Sequence, residues 1–103
     1  MAIVAVSISP VGSGASVSRF VAGAIRELEA QDRVAFQLDS MFTTLEGDLD
    51  DIFALVRRMQ EAVFAEGAVR VGTVIKIDDR RDRAASMQEK VQRVEALLET
   101  KEG

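Results

Sequence analysis

The chain has no cysteine, histidine, tyrosine or tryptophan among its 103 residues, and a single proline. Without cysteine there is no disulfide framework, no thiolate metal site and no thiol nucleophile. Without histidine the usual general base of serine and cysteine hydrolases is missing, and so is the commonest transition-metal ligand. Catalysis or metal binding would have to rest on Asp, Glu, Lys, Arg, Ser and Thr, and no catalytic residue and no metal site is expected. Basic residues are in the minority: the net charge is −4, which argues against nucleic acid as a partner. Long apolar runs are absent too, so no membrane partner is expected. The opening Met1-Ala2-Ile3-Val4-Ala5-Val6 lacks a basic leader region, and Ser7 and Ser9 interrupt its apolar run. Cytoplasm is therefore the expected compartment.

What is present is a folding composition, 48% hydrophobic and 29% charged. The length allows one domain over residues 1–103 and no second core. So small a domain buries only part of its apolar surface, and association is a common way to complete the burial.

Alternating residues over 2–9 predict a strand, with Val4, Val6 and Ile8 on one face and Ile3, Ala5, Ser7 and Ser9 on the other. Pro10 stops it, and Gly12-Ser13-Gly14 makes a turn. Val17, Phe20, Val21, Ala24, Ile25 and Leu28 recur at helical spacing, predicting a helix over about 16–30 with Ser16 as its N-cap. Residues 33–46 predict two strands kinked near Asp39-Ser40, with Val34, Phe36 and Leu38 sharing a face of the first. A second helix is expected at about 48–66, with Leu49, Ile52, Phe53, Val56, Met59 and Val63 as its stripe and Asp48, Asp50 and Asp51 at its positive end. Gly67 ends it. A strand over 68–78 alternates Val69, Val71, Thr73, Ile75 and Ile77 with Arg70, Gly72, Val74, Lys76 and Asp78. Ser86 and Glu89 form a capping box for a last helix reaching about 99, with Met87, Val91, Val94, Leu97 and Leu98 along its apolar side. The order β-α-β-β-α-β is the split βαβ of ferredoxin-like α+β sandwiches, here with an additional C-terminal helix. Two helices cover one sheet face and leave the other open.

That open face is half apolar and half hydroxyl-bearing. Ile3, Ala5, Ser7 and Ser9 lie on it from the first strand; Gly72, Val74, Lys76 and Asp78 lie on it from the last. The third strand is ambiguous: Phe42, Thr44 and Glu46 share one side, Met41, Thr43 and Leu45 the other. Such a face suits burial against another subunit or a small pocket with a few polar anchors, or it is simply a polar sheet surface. Gly12-Ser13-Gly14 before a helix resembles a phosphate cradle but completes no nucleotide fingerprint, and a plain turn is the simpler reading. In the run 78–83, Asp78, Asp79 and Asp82 are matched by Arg80, Arg81 and Arg83, which favours a solvated ion-pair network over a metal site. Glu46 is a helix-capping group or a ligand anchor. Met41, Met59 and Met87 read as filler of core or interface.

Three blocks carry a resemblance to a known family: Val6-Ser7-Ile8-Ser9-Pro10 with Gly12, Gly14, Ser16 and Val17; Met41-Phe42-Thr43-Thr44-Leu45-Glu46-Gly47 before an acidic helix start; and Lys76-Ile77-Asp78-Asp79-Arg80-Arg81-Asp82 before the terminal helix. In that order, over nearly the whole chain, they resemble the thiamine-binding-protein family of small ferredoxin-like domains. The resemblance implies a homodimer or homotetramer assembled through the sheets. It also implies binding of thiamine or its hydroxymethylpyrimidine half at the sheet and subunit interface, with no reaction and no required cofactor. Carried over by position, Ser7, Ser9, Met41, Thr43 and Glu46 would surround the ligand. The chain departs from the family at Phe42, where many relatives have glycine; the ring either closes the pocket or stacks on the ligand. An aminopyrimidine offers ring acceptors and an exocyclic amine to hydroxyls and a carboxylate, and the thiazolium cation suits Glu46, Asp39 or Phe42.

Two other function classes compete. One is an oligomeric structural or interaction module without a small ligand. The other is an enzyme in which Lys76 serves as base or Schiff-base amine beside Asp78 or Glu46, against which a structural salt bridge is the simpler role for that lysine. An RNA-recognition domain of the same topology would need aromatic residues on its central strands and a basic surface.

Overall fold

Alternation along the first strand, Ala2–Pro10 (β1), decides which side of the sheet is covered. Val4, Val6 and Ile8 are buried, while Ile3, Ala5, Ser7 and Ser9 between them are only half-buried. The computed structural model describes residues 1–12, 14, 17–82 and 86–102. After β1 the chain continues through α1 (Ser18–Glu29), β2 (Ala35–Leu38), β3 (Thr43–Gly47), α2 (Leu49–Ala65), β4 (Val71–Asp79) and α3 (Met87–Glu102). The strands make one antiparallel sheet in the order β2-β3-β1-β4. This is the expected ferredoxin-like α+β sandwich, with α3 as its addition.

The core lies between the sheet and two helices. Phe20, Ala24 and Leu28 of α1 and Ile52, Leu55, Val56, Met59 and Val63 of α2 pack over Val4, Val6, Ile8 and Leu45. The helices approach closely at Gly23, where an added Cβ would stand 3.3 Å from Glu66 Cγ and 3.6 Å from the Ala62 carbonyl. Glu66 also faces Arg19 and Arg26 of α1 at 3.8 and 3.7 Å. Asp48 caps α2, accepting from the Asp50 amide at 3.1 Å.

The pairing settles the third strand. Thr43 lies opposite Val6 and Leu45 opposite Val4, so both face the helices; Thr44 and Glu46, opposite Ala5 and Ile3, lie on the open face. Met41 and Phe42 precede β3 and belong to the connection from β2. Helix α1 begins at Ser18 with Val17 at the cap position and no side-chain cap bond; the Ser16 cap expected there, Ser13 of the glycine turn and Arg83 of the charged run lie outside the described residues. Two expectations about packing are corrected. Phe53 is 47% exposed, and Leu55 takes the core position instead. Val69 is 92% exposed, because Gly67 at φ +110° turns the chain out of α2 and β4 pairs only from Val71.

Helix α3 stands apart. Its capping box forms as predicted: Glu89 N donates to Ser86 Oγ at 3.0 Å and Ser86 N donates to Glu89 Oε2 at 3.4 Å. Lys90 pairs with Asp78 of β4. Beyond that root, α3 has no extended packing on another element among the described residues.

Candidate functional site

The strand lengths create a notch. β3 pairs with β1 only from Ala2 to Val6, whereas β4 continues to Pro10. From Ser7 onward β1 therefore has no β3 residue beside it. A strand exposes N–H and C=O groups along each edge, so this stretch offers main-chain donors and acceptors as well as its two hydroxyls.

The notch opens a cavity of about 190 Å³. One wall is Val6, Ser7, Ile8 and Ser9 of β1. The second is Leu38, Asp39, Ser40, Met41 and Phe42, the connection between β2 and β3, together with Thr43. The third is Val17, Val21, Ala24 and Ile25 at the start and along one side of α1, and Met59 of α2 lies at the base. Its volume falls below the roughly 300–1,000 Å³ of pockets for drug-sized ligands, so it suits one heteroaromatic ring better than a two-ring molecule.

Its polar equipment is specific. Thr43 is 7% exposed and the sole buried polar side chain among the described residues. Its hydroxyl, like those of Ser7, Ser9 and Ser40, has no side-chain hydrogen bond to another described residue. Among the described residues no fully enclosed side-chain donor or acceptor is left without a partner, so the Thr43 hydroxyl keeps access to solvent. Asp39 accepts a bond from the Ser40 amide at 2.8 Å through one oxygen, which orients its carboxylate at the rim. The site is a mostly aliphatic slot whose lining includes the hydroxyls of Ser7, Ser9, Ser40 and Thr43 and the exposed residue Asp39.

Of the five residues singled out by sequence, Ser7, Ser9, Met41 and Thr43 meet at this cavity. Glu46 does not line it. It sits opposite Ile3 and Ala35 on the open face, three residues or about 10 Å along β3 from Thr43. Phe42 lines the cavity without closing it. The α1 wall was not foreseen as part of the site; its signal was the pair Val21 and Ile25, aliphatic residues on the edge of a helix stripe, which end half-buried. Lys76 lies on the open face opposite Ala5, away from the notch. In the charged connector, Arg80 pairs with Asp82 and Arg81 with Asp79 at 3.0 Å. Lys90 takes Asp78, so each of the three carboxylates faces a cation. Arg80 donates to Asp82 and holds its carboxyl below the ordinary value; Asp82 in turn raises the Arg80 guanidinium. Among the described residues no helix is long and apolar enough to cross a membrane.

Comparison with known proteins agrees with this architecture. A curated protein of Staphylococcus xylosus, the UPF0045 protein in glkA 3'region, is 46% identical over 102 residues, covering 95% of each chain. The UPF0045 protein YqgV of Bacillus subtilis is 41% identical, covering 96% of this chain and 99% of its own. A solved structure of a hypothetical protein from Methanocaldococcus jannaschii superposes with a TM-score of 0.82 at 34% identity, over 90% of this chain and 94% of that one. A Thermotoga maritima structure, that of a candidate thiamine biosynthesis/salvage protein, has a TM-score of 0.75 over 90% of this chain and 97% of that one; at 18% identity it shows the shared fold. The family model for thiamine-binding proteins matches residues 4–95, and the chain belongs to that family.

Proposed function

We propose that this chain is a non-catalytic cytoplasmic binding protein for thiamine or its hydroxymethylpyrimidine half, acting as a homodimer or homotetramer and requiring no cofactor. The observation that supports the reading most is the unbonded, solvent-accessible hydroxyl of the buried residue Thr43 in an aliphatic slot beside Ser7 and Ser9. A pyrimidine ring enters the slot, with Val21, Ile25 and Met59 against its faces. Ring nitrogens accept from hydroxyls, and the exocyclic amine donates to a hydroxyl or to a free carbonyl of the β1 edge. The thiazolium of thiamine, too large for the same cavity, lies at the mouth toward Asp39, with Phe42 offering a ring face. Membership of the thiamine-binding family supports the ligand class. The open face, with Ile3, Ala5 and Val74 at its surface, supports self-association, which closes the Ser7 and Ser9 side of the slot.

Calorimetric titration and thermal shift with thiamine and with hydroxymethylpyrimidine test the proposal. A ligand that binds the native state must raise the melting temperature. Thr43→Val keeps the volume and removes the hydroxyl, and it is expected to weaken binding about 3- to 10-fold, as one neutral hydrogen bond would. If neither compound moves the melting temperature at large excess, the proposal is wrong. The alternative is an oligomeric module without a small ligand. It draws on the exposed aliphatic residues of β4 and α3, and it predicts that assembly persists while both titrations stay flat.

A further inference from the structure

A second cavity lies toward the other end of β1 from the notch, where Ile3 stands four residues, or about 13 Å, from Ser7. It holds about 300 Å³ between the sheet and the root of α3. Met1, Ile3 and Val94 give it an apolar wall. Its charged lining is three cations, Arg80, Lys90 and Arg93, against two carboxylates, Asp78 and Glu89. Both carboxylates are already engaged. Lys90 takes Asp78. Glu89 precedes Arg93 by four residues, the spacing of an ion pair along a helix, but it is turned back to accept from the Ser86 amide in the capping box. Arg80 is held by Asp82. Arg93 is left with no ion pair and no side-chain hydrogen bond to a described residue. It also lies three residues after Lys90 on the same helix, where like charges repel. A chain of net charge −4 thus keeps an unpaired guanidinium beside an apolar wall.

We infer that this cavity is a second binding site, for a small monocarboxylate with a short aliphatic or single-ring body, whose carboxylate pairs with Arg93. The guanidinium fork matches a carboxylate through two parallel hydrogen bonds. The body of the ligand lies against Met1, Ile3 and Val94 and removes their apolar surface from water. The volume is at the low end of the range for ligand pockets, which suits one ring or a short chain. The charge count selects a monoanion. One cation is unmatched, so one negative charge balances the site, whereas a dianionic phosphate ester would also face the carboxylates of Asp78 and Glu89. Bound there, the ligand bridges two elements, since Arg93 and Val94 belong to α3 and Ile3 to β1. Helix α3 has no extended packing beyond its root among the described residues, so occupancy of the cavity also orders the helix. The cavity shares no lining residue with the slot at the notch, and the inference takes nothing from the reading proposed for that slot.

Magnetic-resonance titration of the whole chain with benzoate and with hexanoate tests the site, read at the Arg93 Nε–H and at the methyl groups of Ile3 and Val94. The three signals should move together and saturate with at least one of the two acids. Benzyl alcohol, which has the ring without the charge, should bind about 10-fold more weakly, because the hydrogen bonds to a charged group are lost. Arg93→Gln keeps a good helix former at an exposed position, so circular dichroism should be unchanged while binding of the acid falls about 10-fold or more. Amide exchange along α3 should slow when the acid is bound. The inference is overturned if neither acid gives a saturating shift, if saturation is indifferent to Arg93→Gln, or if the shifts centre on Ser7 and Thr43 instead. Phenyl phosphate binding more tightly than benzoate would overturn the assignment to a monocarboxylate. The two cavities are read at different residues, so this outcome and that of the thiamine titrations are separable.

Discussion

Asp78 is where α3 is tied to the sheet, and its chemistry can be followed directly. The Lys90 ammonium donates a hydrogen bond to its carboxylate and, next in importance, attracts it as a charge; both hold the carboxyl below the ordinary aspartate value of 3.8. A carboxyl depressed in the folded state contributes stability that is complete above the unfolded value and is lost as pH falls through the folded one. The tether is therefore intact at neutral pH and released only in acid, below 3.8. Because the pair is solvent-exposed, its release loosens the root of α3 without unfolding the domain. In a carbon-13 carboxyl titration, Asp78 is expected to have a midpoint below 3.8, and Lys90→Met to return it toward that value. An Asp78 midpoint indifferent to Lys90→Met would mean the pair does not form in solution. The neighbouring Arg80–Asp82 pair is confined to the connector and would not respond to that substitution.

At the scale of elements, α2 carries the largest share of the covered face. Leu55 is fully buried and its neighbours belong to a single continuous core. Leu55→Ala is expected to cost about 2–5 kcal/mol, whereas Phe53→Ala, removing a half-exposed ring, should cost well under that. Urea denaturation of the two variants decides the ranking, and equal losses would mean that α2 is rotated on the sheet. This pair also marks how far sequence could go. Helical spacing identifies α2 and most of its stripe, but a wide stripe does not say which of its edges meets the sheet, so the spacing includes Phe53 and omits Leu55, which is the buried one. The capping box of α3 was legible because it depends only on Ser86 and Glu89, three residues apart. The face of Thr43 was not, since a period of two leaves the sign open until pairing with Val6 fixes it. For the same reason Ser7, Ser9, Met41 and Thr43 could be grouped from the family's motifs, while Glu46, near them along the chain, lies elsewhere. The α1 wall of the cavity depends on how a helix settles against a sheet end: Val21 and Ile25 mark the edge of its stripe, but their spacing does not say that this edge meets the notch.

At the scale of the whole molecule, the chain is elongated. Its radius of gyration is 15.7 Å and its extents are 52 × 30 × 20 Å, where a compact domain of this length would have a radius of about 13 Å. The excess lies in α3, whose aliphatic residues face solvent together with Val74, Ile75 and Ile77 of the edge strand β4. The self-association proposed above, by covering Val74 on the open face, would link folding to association, and the melting temperature should then rise with protein concentration. In a Val74→Glu chain, which puts a charge on that face, the dependence should vanish. On the reading proposed above, self-association closes the Ser7 and Ser9 side of the cavity, while Val21, Ile25 and Thr43 come from the chain itself. Thiamine or hydroxymethylpyrimidine should therefore still stabilise the monomeric variant, though with several-fold weaker binding because the Ser7 and Ser9 side is left unsealed. Thermal shift at two protein concentrations, with and without ligand, separates the two linkages. A ligand response lost entirely on monomerisation would place part of the binding surface on the neighbouring copy, whereas a response unchanged in strength would show that the slot is complete within a single chain.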